Sequence, residues 1–141
     1  EAQTPQFKEY AIQTLKNAQV MAEEFNKRGY KLVTGGTDNH MIVRDFSGTE
    51  LDGTITEKAL DHIGISTSKS TIPDDPNPPF RPSGLRIGTP AMTTRGVKED
   101  DMRQIVDFMD RAFQNHANPE YLAALQQEVQ TMALKFPVPG L

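Results

Sequence analysis

Arg86 stands between Leu85 and Ile87 and is bracketed two residues away on one side by Gly84 and on the other by Gly88. In a strand, successive side chains alternate faces, so Leu85 and Ile87 share one face and Arg86 takes the other. The glycines on its own face let another backbone or a ligand come close. A guanidinium is a planar fork that meets a carboxylate with two parallel hydrogen bonds, a geometry lysine cannot copy. The chemistry on offer is anion recognition. The same alternation also describes an exposed edge-strand arginine with no ligand at all. Gly88-Thr89-Pro90 follows at once and forms a rigid turn after the strand.

Other chemistry-bearing residues make weaker patterns. The stretch TGGTDNH, residues 34–40, is rich in glycine as phosphate-cradling loops are. Those loops hand their anion to a helix N-terminus, whereas here a strand follows. Gly35 and Gly36 are expected instead to permit a tight turn, with Asp38 and Asn39 bonding their own backbone and His40 free to face a site. His40, His62 and His116 are far apart, with no pair at helical ligand spacing, so no metal site is expected. The carboxylates are scattered over helix faces and no serine sits in a nucleophile elbow. No catalytic residue is assigned. The chain has no cysteine, hence no thiol nucleophile and no disulfide framework, which fits a cytoplasmic protein.

These residues need a scaffold. A length of 141 residues suits one domain, and 36% hydrophobic with 24% charged residues suits a soluble globular one. A net charge of −4 argues against a phosphate-driven nucleic-acid surface, and no apolar run approaches the length of a membrane span. Nucleic acid and membrane are not expected partners. The chain opens on Glu1 rather than methionine, with no signal-peptide pattern and a helical pattern almost at once, and is expected to be a piece of a longer polypeptide.

Phe7, Ala11, Leu15, Ala18, Ala22 and Phe25 recur at helical spacing and predict a long amphipathic helix ending near Gly29. Lys31–Thr34 and Met41–Phe46 predict a hairpin with a tight turn. Thr54 and Glu57 fit a capping box that opens a helix to Ile63, with Gly64 ending it. Six of the ten prolines fall between Pro73 and Pro90, so most of that stretch is a long stiffened loop, leading into the strand around Arg86. Glu99, Asp100 and Asp101 open a helix whose face is Met102, Ile105, Val106, Met109, Ala112 and Phe113. Asn118 and Pro119 start a last helix with Leu122, Leu125, Val129, Met132 and Phe136 along one side. The expected fold is α+β: a small, mostly antiparallel sheet covered by helices in a sandwich.

The stretches RGYKLVTGGTDNH, IPDDPNPPF and SGLRIGTPAMTTRG carry a resemblance to the C-terminal part of serine hydroxymethyltransferases, pyridoxal-phosphate enzymes of the aspartate-aminotransferase-like (fold-type I) class. It runs from about Phe7 to Phe113. By this resemblance residues 1–141 form a single C-terminal small domain, and Arg86 binds the carboxylate of serine or glycine. The Gly-Thr-Pro turn locks the arginine's strand in place. Pro78, Pro79 and Phe80 match a segment that contacts tetrahydrofolate, and Thr37, Asp38 and His40 belong to a turn with a mainly structural role. The implied reaction converts serine and tetrahydrofolate to glycine and 5,10-methylenetetrahydrofolate, in a cytoplasmic parent enzyme that is a homo-oligomer.

Two departures qualify what the resemblance implies. Where the family reads Asn-Lys-Asn, this chain has Ser68-Lys69-Ser70, and Ser70 offers one hydroxyl in place of the amide that meets the folate pterin ring. None of the lysines lies in the family's Schiff-base motif, so pyridoxal phosphate is expected to be held by a large domain outside this sequence and the chain alone to be inactive. A folate-independent aldolase or transaldolase relative, and a non-catalytic binding module, remain alternative readings.

Overall fold

A computed structural model describes residues 1–140. Helix α1 (Pro5–Lys27) is capped by Thr4, whose hydroxyl accepts from the Phe7 amide at 3.3 Å, and Pro5 occupies the first turn, where no amide hydrogen is needed. Strands β1 (Lys31–Leu32) and β2 (Met41–Asp45) pair antiparallel, but residues 33–40 lie between them, so the hairpin has a broad loop rather than a tight turn. Side chains replace the missing ladder. Thr37 donates to the Met41 carbonyl (2.7 Å), Asn39 accepts from the Met41 amide (2.9 Å), and Thr34 donates to the Gly36 carbonyl (2.6 Å). Asn39 thus bonds its neighbouring backbone as expected.

Helix α2 (Gly53–His62) starts one residue before the expected position and uses a different cap. Asp52, not Thr54, accepts from the Ile55 amide at 2.8 Å, while Glu57 reaches away to accept from the Lys69 amide at 2.9 Å. The Thr54 hydroxyl is buried without a partner. Asp52 also pairs with Arg81, a residue the local pattern could not bring near. Gly64, at φ +84°, does end the helix region.

Strand β3 (Ser68–Ser70), which the sequence pattern did not predict, lies just before the proline-rich stretch; β4 (Gly84–Gly88), the short helix α3 (Pro90–Thr94), α4 (Glu99–Gln114) and α5 (Pro119–Ala133) complete the chain. Asn118 caps α5 as expected, accepting from the Tyr121 amide at 3.0 Å. The sheet runs β1-β2-β4-β3 and every pairing is antiparallel. Leu32, Ile42, Leu85 and Ile87 turn one face of it onto Phe25, Leu60, Val106 and Phe113 of the helices. This is the expected α+β sandwich. No described helix is long and apolar enough to cross a membrane.

The α1 stripe is buried only in its second half. Ala18, Ala22 and Phe25 are inside, whereas Phe7 and Leu15 are each 39% exposed and neighbouring Ile12 is 45% exposed. The first turns project past the elements that cover the rest. Asn17, fully buried, ties the covered half to the segment after β4 by donating to Thr93 Oγ1 (2.9 Å) and to the Val97 carbonyl (2.8 Å). Arg44 is buried on the core side between the Tyr30 and Phe46 rings, 4.4 and 4.3 Å from their centroids, and burial lowers its pKa to about 10.

Candidate functional site on the open face of the sheet

β4 is an internal strand, so the edge-strand reading of Arg86 does not hold. Arg86 has Val43 opposite it in β2 and Ser68 opposite it in β3. The alternation does hold: Leu85 and Ile87 are buried and Arg86 is exposed on the face the helices leave uncovered. Six of the chain's seven arginines are engaged. Arg28 and Arg103 donate to carboxylates, Arg44 and Arg95 to backbone carbonyls, and Arg81 and Arg111 to Asp52 and Glu128. Among the described residues the Arg86 fork alone meets no acceptor.

The acidic residue that shares this face of β2 is already committed. Asp45 lies two residues beyond Val43 and pairs with Lys31 while accepting from the Ser47 amide at 2.7 Å. Burial pushes the Asp45 carboxyl up, but Lys31 and Ser47 outweigh it and hold the group below the usual carboxylate range. Arg86 therefore keeps its charge uncompensated beside half-buried Val43 and Ser68.

The two flanking glycines differ. A Cβ on Gly84 would lie 2.4 Å from the Ser70 carbonyl oxygen and 2.8 Å from Ile72 Cγ2, so here the close approach is made by the neighbouring strand. A Cβ on Gly88 would meet only ordinary contacts, the nearest at 3.6 Å, so a small side chain is tolerated at that end. Thr89, fully buried, fastens the end of β4: its amide donates to the His40 carbonyl (3.0 Å) and its hydroxyl to the Thr14 carbonyl of α1 (2.9 Å). Pro90 then opens α3. The turn after the strand is anchored at both ends of the domain's layers.

Ser70 lies opposite Gly84, diagonal to Arg86 and about 7–8 Å away by sheet geometry. Its hydroxyl donates to the Thr71 carbonyl at 3.2 Å. Pro78, Pro79 and Phe80 are not in the sheet but on the long hairpin loop between β3 and β4. The Arg81 amide donates to the Pro78 carbonyl at 2.8 Å, closing a β-turn with Pro79 and Phe80 at its tip. Phe80 is 78% exposed. His40 is exposed at the start of β2, and Thr37, Asp38 and Asn39 line a hollow of about 470 Å³ that shares Met41 and Val43 with the Arg86 face.

Two residues that shape the site were passed over in the sequence. Asp75 accepts from Ile72, Asn77 and Ser83, and Asp52 pairs with Arg81, so both ends of the loop hang on carboxylates. An aspartate before a proline with an asparagine two residues on is an Asx-turn signal that could have found Asp75. Asp52 immediately before Gly53 was likewise a readable cap.

A family model described as serine hydroxymethyltransferase matches residues 1–109. The chain belongs to the serine hydroxymethyltransferase family. The match takes in Arg86, Ser70, the Pro78–Phe80 turn and the whole sheet, and ends within α4. Serine hydroxymethyltransferases are transferases of one-carbon metabolism that use pyridoxal phosphate and folate. The residues of this chain do not by themselves fit the first of these. Its eight lysines, Lys8, Lys16, Lys27, Lys31, Lys58, Lys69, Lys98 and Lys135, are all exposed, and none is buried as a sheltered Schiff base would be.

Proposed function

We propose that this chain is the small domain of a serine hydroxymethyltransferase, supplying one wall of the site where serine's hydroxymethyl carbon passes to tetrahydrofolate, giving glycine and 5,10-methylenetetrahydrofolate. The observation that carries the reading is Arg86, whose fork meets no acceptor and stands mid-sheet on an uncovered face while the chain's other arginines are all engaged. It receives the substrate carboxylate through two parallel hydrogen bonds. The strand fixes its direction, and Thr89 fixes the strand. Ser70, Pro78, Pro79 and Phe80 form the folate wall, the exposed Phe80 ring offering a stacking face for a planar heterocycle.

Pyridoxal phosphate, when bound in the parent enzyme, supplies an electron sink for the amino acid's α-carbon. Its lysine, phosphate and pyridine partners belong to a large domain outside this sequence, and the family match supports a parent that is a cytoplasmic homo-oligomer. The chain alone, mixed with pyridoxal phosphate and reduced with borohydride, is expected to yield no single stoichiometric lysine adduct by mass spectrometry and not to turn over serine. One uniquely modified lysine would overturn the division of labour. In the parent enzyme, serine affinity read from the spectral change of the cofactor, in wild type and Arg86→Lys, tests the carboxylate role itself.

Ser70 favours a second reading. Its hydroxyl hydrogen is already given to Thr71, leaving only acceptor lone pairs where the family presents an amide. Folate-independent cleavage or exchange of β-hydroxy amino acids would use the same Arg86 clamp. Tetrahydrofolate titration of the glycine complex separates the two.

A further inference from the structure

The long hairpin loop between β3 and β4 has no core of its own. From Thr71 to Arg81 no residue is buried, so apolar packing does not set its shape. Polar ties do, and they converge on Asp75. Its Oδ1 accepts from the Asn77 amide (2.9 Å) and the Ser83 hydroxyl (2.7 Å), and its Oδ2 from the Ile72 amide (3.2 Å) and the Ser83 amide (3.0 Å). One carboxylate thereby clamps the outgoing end of the loop, at Ile72, to its returning end, at Ser83. Ser83 is fully buried, its carbonyl accepts from the Phe46 amide at 3.0 Å, and the next residue begins β4. The clamp is thus fixed to the sheet.

The backbone beside it is held off its preferred region. Asp74, at φ +52°, is the one non-glycine described residue with positive φ. Burial pushes the Asp75 carboxyl up, but Ser83 and the loop amides outweigh it and hold the group down to about 2. The carboxylate stays ionised throughout the working range. An asparagine there would turn an NH₂ group toward donors that now share an oxygen.

We propose that Asp75 is a positioning residue for folate: by clamping Ile72 and Asn77 to Ser83 it holds the Pro78–Phe80 turn in the conformation that receives the cosubstrate. This rests on the reading of Pro78, Pro79 and Phe80 as the folate wall. Asp75 touches no ligand itself, and the asymmetry of its effect is what identifies the role. Arg86 is set by its own strand and by Thr89, whereas the turn is set by Asp75 and by the Arg81–Asp52 pair.

The test uses the parent enzyme loaded with pyridoxal phosphate, with tetrahydrofolate affinity measured on the glycine complex and serine affinity from the cofactor spectrum. Asp75→Asn is expected to weaken tetrahydrofolate binding about tenfold, equivalent to about 1.4 kcal/mol, and by at least about fivefold more than it weakens serine binding. Ser83→Ala, which removes one of the bonds, moves the same ratio in the same direction by less and decides the matter if Asp75→Asn does not fold. Amide hydrogen exchange at Asn77 quickens in both variants. Phe80→Ala is the control for the wall. If it weakens tetrahydrofolate binding while the Asp75 and Ser83 variants do not, or weaken serine binding equally, the positioning role is wrong and the wall stands. If Phe80→Ala leaves tetrahydrofolate affinity unchanged, the wall reading fails and the role of Asp75 fails with it.

Discussion

Ser68 stands directly opposite Arg86 in the β3–β4 ladder. Because β3 leads straight into the loop that carries Phe80, the strand that flanks the arginine and that loop are one continuous segment. A change in its register would shift both.

Arg86→Lys in the parent enzyme keeps the charge but loses the fork, and Arg86→Ala loses both. With hydrogen bonds to charged groups worth roughly 1.5–3 kcal/mol, the loss of one weakens serine binding by about 10- to 150-fold. Since Arg86 is exposed and unpaired, folding stability changes by less than about 0.5 kcal/mol. Unchanged serine affinity at matched stability would remove the carboxylate clamp from the reading.

The flanking glycines separate packing from binding. Gly84→Ala drives a methyl group into the Ser70 carbonyl and is expected to destabilise the fold by about 1–3 kcal/mol. Gly88→Ala meets only ordinary contacts at 3.6 Å or more, so denaturant midpoints stay near wild type while serine affinity falls, because the methyl group stands on the Arg86 face of the strand. Equal midpoints for the two variants would contradict the difference in their surroundings.

The cap of α2 predicts an acid response. Burial pushes the Asp52 carboxyl up, but the Ile55 amide and Arg81 outweigh it and hold it below its ordinary value. A group depressed in the folded state contributes stability above its unfolded pKa, about 4, and that contribution is lost as pH falls from there through the lower folded value. Asp52→Ala costs about 0.5–2 kcal/mol near neutral pH and flattens the stability profile below about pH 4. Thr54→Val, which removes a buried unsatisfied hydroxyl, is neutral or stabilising, whereas a Thr54 cap would make it costly. Urea denaturation across pH distinguishes the two.

The exposed part of α1 predicts association. Phe7, Ile12 and Leu15 leave an apolar strip on the first turns, and such strips drive contacts at high concentration. Sedimentation of the 141-residue chain is expected to show concentration-dependent self-association, reduced by Leu15→Gln. A strictly monomeric chain over a wide concentration range would show that the strip is too small to matter.

How much was legible follows from the range of the forces involved. Helix α4, the Asn118 cap of α5 and the alternation around Arg86 are set by residues within a few positions of one another, and the sequence by itself determined them. The family was legible too, because its motifs are contiguous stretches. Features that depend on distant partners were not. The Asp52 cap is a local signal, but its pairing with Arg81, twenty-nine positions on, is not. β3 is three residues with no apolar pattern, and it is a strand because β4 offers it a ladder. Only the tertiary structure decided that Arg86 is internal to the sheet and uncompensated. Strand order and the commitment of Asp45 to Lys31 are matters of which surfaces meet, and no local propensity encodes them.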